Sequence, residues 1–146
     1  MHQTFTIHGS LPRLNDTIAA TKRHWSLYSK EKAKWTSLVA WEAKAARLKP
    51  VAHPVEINFL WYLKDRRSDP DNCRYACKHV LDGLVAASII PDDSLRWVAG
   101  FSDQFAGDRA NPRVKVTITE LTEVNHVQKD SQARKKPSKG RSHRGQ

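Results

Sequence analysis

Residues 55–64, VEINFLWYLK, constrain the fold more than any other part of the chain. Val55, Ile57, Phe59, Trp61 and Leu63 alternate onto one face of a strand, while Leu60 and Tyr62 add apolar groups to the other. A strand that is apolar on both faces belongs inside a sheet, with partners along both edges. The rest of the chain must therefore supply neighbouring strands and a cover for at least one face.

The flanking sequence offers both. Phe5 and Ile7 alternate with polar neighbours in QTFTIHG, a short strand, and SLPRLND follows with turn chemistry at Pro12, Asn15 and Asp16. A first helix is expected over about 16–27 and a second over 29–48, where Trp35, Leu38, Val39, Ala45 and Ala46 form one stripe. KPVAHP breaks that helix. A third helix is expected over about 71–87, with Cys73, Cys77, Val80, Leu81 and Leu84 as its apolar stripe. IIPDDS reads as a turn, LRWVAGF as a strand and DQFAGDRANP as a loop; RVKVTITEL, with Val114, Val116 and Ile118 in alternation, reads as the last strand. The expected fold class is α+β, a small mixed sheet with packed helices in a single domain over 1–124. Residues 125–146 are rich in Lys, Arg, Ser and Gly without a packing pattern and read as a disordered basic tail.

Charge narrows the partner. The chain carries a net charge of +10, but seven Lys and Arg stand against Asp130 alone from residue 127 onward, a net of +6. The first 126 residues hold 18 basic and 14 acidic groups, or +4. A polyanion, nucleic acid first, suits this balance. No apolar run approaches the ~20 residues of a membrane span, and MHQTFTIHGS lacks the pattern of a signal peptide, so a cytoplasmic protein is expected. Cys73 and Cys77 sit four apart, parallel on a helix face, which suits small core residues better than a disulfide or a zinc site.

Against this basic background, RRSDPDN and PDDS concentrate acids at the two ends of one helical segment. Asp69 precedes Pro70 and is held extended, so Asp69 and Asp71 can point the same way and share a cation. Both also suit a helix start, where acids complement the dipole, and Asp92 and Asp93 suit a turn. If Asp69, Asp71 and Asp93 converge, unneutralised carboxylates ~4 Å apart repel by about 4 kcal/mol per pair at an effective dielectric of 20, which calls for a bound cation. An all-oxygen set favours Mg²⁺ or Mn²⁺, and in a basic protein such an ion would act on a phosphodiester. Lys78 lies seven residues after Asp71, two turns along a continuous helix; it reads either as a surface lysine beside Asp82 or as a cation at the scissile phosphate.

DPDN, Lys78, LDGL and PDD together resemble the signature of RusA-type Holliday-junction resolvases, over roughly residues 3–120. The resemblance implies a Mg²⁺-dependent homodimeric endonuclease, often of phage or prophage origin, that nicks four-way DNA junctions symmetrically in recombination and repair. It implies Asp69, Asp71 and Asp93 as metal ligands, Lys78 as the catalytic lysine, and Arg66, Arg67 and Asn72 as DNA contacts. Lys78 requires about three more residues after Asn72 than some members have, and Ser88 stands where the family often has glycine. Trp25, Trp35, Trp41, Trp61 and Trp97 read as core residues or as platforms for unpaired bases. Two other readings stay open: a DNA-binding protein without catalysis, and a metal nuclease acting on other branched DNA.

Overall fold

A computed structural model describes residues 1–122, which form β1 (His2–His8), α1 (Leu14–Arg23), α2 (Trp25–Ala45), β2 (Val55–Leu63), α3 (Pro70–Arg74), α4 (Cys77–Ala86), β3 (Val98–Gly107) and β4 (Arg113–Glu120). The tail expected over 125–146 lies outside the described residues. The strands make one mixed sheet in the order β1-β4-β2-β3, so the α+β expectation holds and β2 is central. It pairs antiparallel with β4, Phe59 opposite Val116, and parallel with β3, Phe59 opposite Asp103. Parallel neighbours need a crossover, and α3 and α4 provide it. No helix among the described residues is long and apolar enough to cross a membrane.

The core lies between one face of the sheet and the helices. Phe5, Ile7, Ile57, Phe59, Val116 and Ile118 point inward from the strands, and Val39, Val80 and Leu84 meet them from α2 and α4. The other sheet face is mixed: Leu60 and Tyr62 lie on it partly buried, beside the Thr4 and Thr117 hydroxyls bonded at 3.2 Å and Asn58 donating to Ser102 at 2.6 Å. α2 and α4 pack so closely that a Cβ at Gly83 would sit 2.3 Å from Val39 Cγ1. That contact accounts for the glycine in LDGL.

Four details depart from the sequence expectations. The first helix ends at Arg23, and His24 separates it from α2, its imidazole Nδ1 accepting from the Ser26 amide at 3.2 Å. In α2 the buried positions are Val39 and Ala43, while Ala45 and Ala46 are exposed at its C-terminal end. The helix expected over 71–87 is broken at Tyr75 and Ala76, where the amides of Lys78 and His79 bond three residues back rather than four. Finally, residues 103–107, expected as loop, continue β3 alongside β2 as the edge strand of the sheet, paired on one side only.

Candidate active site

The end of β2 delivers the chain into residues 64–69, and α3 starts from there. Asp69 occupies the N-cap position with φ −68° and ψ 148°, the extended geometry that a following proline imposes, and Pro70 is the first helical residue. The Asp69 carbonyl accepts from the Cys73 amide at 3.2 Å, but its carboxylate makes no capping bond. Asp71 lies in the first turn, also solvent-exposed. Neither carboxylate is engaged by a described hydrogen bond or ion pair. Two unspent acids at a helix start are therefore directed outward beside Arg66 and Arg67, both exposed. The Arg67 amide donates to Asp65 Oδ1 at 2.9 Å, which tightens the loop.

Asp93 lies elsewhere. α4, about 15 Å long by its residue count, carries the chain away from α3 to a turn at the start of β3, where the amides of Trp97 and Val98 bond the Ser94 carbonyl at 3.0 and 2.9 Å. Asp92 Oδ1 accepts from the Ser94 amide at 2.8 Å, and its bonds to Ser94 hold the carboxyl below its ordinary pKa. Asp93 makes no such bond among the described residues and is the less committed of the pair. Asp69 and Asp71 are thus neighbours, whereas Asp93 sits toward the opposite end of β3. Among the described residues no group of three or more His, Cys, Asp or Glu side chains is assembled to hold a metal. The two α3 carboxylates nonetheless suit Mg²⁺, which commonly takes one or two carboxylates and fills its remaining positions with water and substrate phosphate.

Lys78 opens α4 and is exposed. The break at Tyr75 and Ala76 means that the two-turn spacing from Asp71 is not carried along one helix. No ion pair between Lys78 and Asp82 is formed among the described residues; Asp82 Oδ2 is buried without a partner. Asn72, expected at DNA, has a structural duty: its Oδ1 accepts from the Asn15 amide at 3.0 Å, satisfying a free N–H in the first turn of α1.

What positions α3 was not read from the sequence. Arg74 Nε donates to Asp103 Oδ2 at 2.6 Å, and the second oxygen of Asp103 accepts from Trp61 Nε1 at 2.9 Å. The Arg74 guanidinium also lies over the Phe101 ring, 5.3 Å from its centroid. A five-residue helix has almost no stability of its own, so this chain from β2 through β3 to Arg74 fixes where Asp71, three residues earlier, stands. On the other flank Arg13 donates to the Ser68 hydroxyl and to Asp16 at 3.4 Å. The alternation of Phe101, Asp103 and Phe105 was the available signal, hidden because Gly107, Asn111 and Pro112 made the whole region look like loop.

A family model, Endodeoxyribonuclease RusA, matches residues 11–119, from the β1–α1 connection through almost all of β4. No individual curated protein matches the chain.

Proposed function

The chain belongs to the RusA family of endodeoxyribonucleases, enzymes that hydrolyse phosphodiester bonds in DNA, and from that premise we propose that it nicks four-way junctions symmetrically, using Mg²⁺, in recombination and repair. One observation carries the site assignment: Asp69 and Asp71 are exposed at the start of α3 with no local bond of their own, although Asp69 stands in a position where a carboxylate usually caps. Asp69 and Asp71 would hold the cation, with Mn²⁺ as a substitute. When bound, it supplies charge neutralisation at the phosphate and a more acidic water.

The protein's own groups do the rest. Arg66 and Arg67 grip the backbone on one side of the cut, and their guanidiniums can each engage two phosphate oxygens. Lys78 offers a charge to the leaving oxygen or the entering water. Asn72 keeps its amide NH₂ for the strand while its oxygen holds α1. Asp93, remote from α3 in its own chain, completes the ligand set from a second copy in a homodimer. Two such sites related by a twofold axis would cut opposite strands of a junction, the symmetry that paired nicks require. The tail adds nonspecific affinity that falls with salt. A cytoplasmic setting, of phage, prophage or host, fits this role.

Incubation with a synthetic four-way junction and with linear duplex, each with and without Mg²⁺, tests the reading. Paired nicks in the junction only, and only with metal, are expected. Binding without metal-dependent nicking would instead favour the non-catalytic DNA-binding role, and equal cutting of linear duplex would remove junction selectivity.

A further inference from the structure

Between the β1–α1 connection, α2 and the end of β2 lies a groove of about 510 Å³. It is lined by the aromatic and apolar Trp35, Trp61 and Leu63 and by four cations, Arg13, Lys34, Lys64 and Arg113, against three acids, Asp16, Glu31 and Asp65. Trp61 is almost wholly buried; Trp35, on α2, is partly buried, with the Lys34 ammonium 5.2 Å from its ring centroid. The lining is braced. Arg13 is held by Asp16 and by the Ser68 hydroxyl, so one cation is fixed in place. Ser68 itself lines the groove and immediately precedes Asp69. The groove therefore opens one residue from the proposed metal ligands.

This volume falls in the range of small-ligand pockets, and far below what a duplex would occupy. Aromatic side chains beside a small excess of cations match the two halves of a nucleotide, a base that stacks and a phosphate that needs positive charge. Asp65 and Glu31 at the same groove can accept from base N–H groups. We propose that the groove takes one unstacked nucleotide of the branched DNA, next to the phosphate positioned at Asp69 and Asp71. The inference rests on the nuclease reading and deepens it, because it supplies a reason for structure selectivity. At a branch point a nucleotide leaves its stack cheaply, whereas linear duplex must spend a few kcal/mol to release one. Only the former fills the groove readily.

Two measurements on the full-length chain test this. In EDTA, a junction carrying 5-iododeoxyuridine at successive positions around the branch is bound and photo-crosslinked to wild-type protein, and the attachment is mapped. The expected crosslink falls on Trp35 or within 61–68, from one nucleotide position next to the cut. In parallel, an abasic nucleotide at that position should weaken junction binding about fivefold or more in wild type. The same lesion should cost nothing further in Trp35→Ala and should retain its cost in Trp35→Phe, which keeps a stacking ring. Crosslinks that avoid both segments, or an abasic penalty identical in wild type and Trp35→Ala, would overturn the proposal. The wild-type crosslink decides it even if Trp35→Ala does not fold. Junction nicking in Mg²⁺, scored separately, reports on the nuclease reading alone: cutting without the crosslink removes the groove, and the crosslink without cutting keeps the groove and removes the nuclease.

Discussion

At the scale of single residues, Asp103 has the clearest structural duty. Its two oxygens join Trp61 of the central strand to Arg74 of α3, and the carboxylate is only 13% exposed. In Asp103→Ala the Trp61 indole N–H loses its partner, at a cost of about 1–3 kcal/mol, and α3 loses its tie to the sheet. The expected result is a lower melting temperature together with a higher Mg²⁺ concentration for half-maximal nicking; Asp103→Asn should recover part of both. His79 is the counterpart, a buried group that the structure does not satisfy. It is 4% exposed, and neither ring nitrogen has a described hydrogen-bond partner. Burial holds its pKa below the ordinary 6.5, with Asp82 opposing and Lys78 reinforcing that shift. The unfolded chain therefore takes up this proton first as pH falls, so stability is lost from about pH 6.5 downward and is unaffected well above it. His79→Leu should raise stability near pH 7.5 by about 1 kcal/mol, because an apolar group replaces an unpaired polar one. Thermal melts of both proteins between pH 7.5 and 5.5 should show a smaller acid loss in the variant. The acids of the proposed site stand out in the sequence but neither of these two roles does, since partnership across β2, β3 and α3 is not written in local spacing.

At the scale of elements, the strands that line the core were legible because their side chains alternate cleanly, and the placement of β2 followed from its two apolar faces. The break between α3 and α4 was not, because the stripe of Cys73, Cys77, Val80 and Leu84 passes through it without interruption. The edge strand β3 was half missed for a related reason: Phe101 and Phe105 are 41% and 39% exposed, so it lacks the strong inside–outside contrast of a core strand. Helix ends show a different economy. Ser88 has φ +59° directly after α4, with its own amide bonded to the Val85 carbonyl and that of Ile89 to Leu84, a left-handed cap of the kind glycine usually fills. A glycine would take this left-handed conformation without strain. The decisive packing contact between helices is Gly83 against Val39. Gly83→Ala must separate α2 from α4 or distort one of them, and a loss of about 1–3 kcal/mol is expected from overpacking despite the better helix propensity of alanine. Denaturant unfolding that shows the variant equal to or more stable than wild type would contradict this packing account.

At the scale of the whole molecule, the sheet decides what one chain can and cannot assemble. Because β2 and β3 are parallel, the chain must cross from the end of one to the beginning of the other, and the residues on either side of that crossover are set apart. Asp69 and Asp71 stand before the crossover and Asp93 after it. Sequence spacing allowed the three to meet; the crossover separates Asp93 from the pair at α3 within one chain, which is why the proposed site draws its third ligand from a second copy. The most direct measurement of this account is the rate of junction nicking in Mg²⁺ by Asp71→Asn, by Asp93→Asn and by an equimolar, subunit-exchanged mixture of the two. Each variant alone should bind the junction yet nick it about a hundredfold more slowly or worse, a loss of several kcal/mol in transition-state stabilisation. The mixture should regain substantial activity, because one site per mixed dimer then combines an intact Asp71 from one chain with an intact Asp93 from the other. A mixture as inactive as its components would contradict a site shared between chains, and near-normal nicking by Asp71→Asn alone would contradict the assignment of α3 as the catalytic centre.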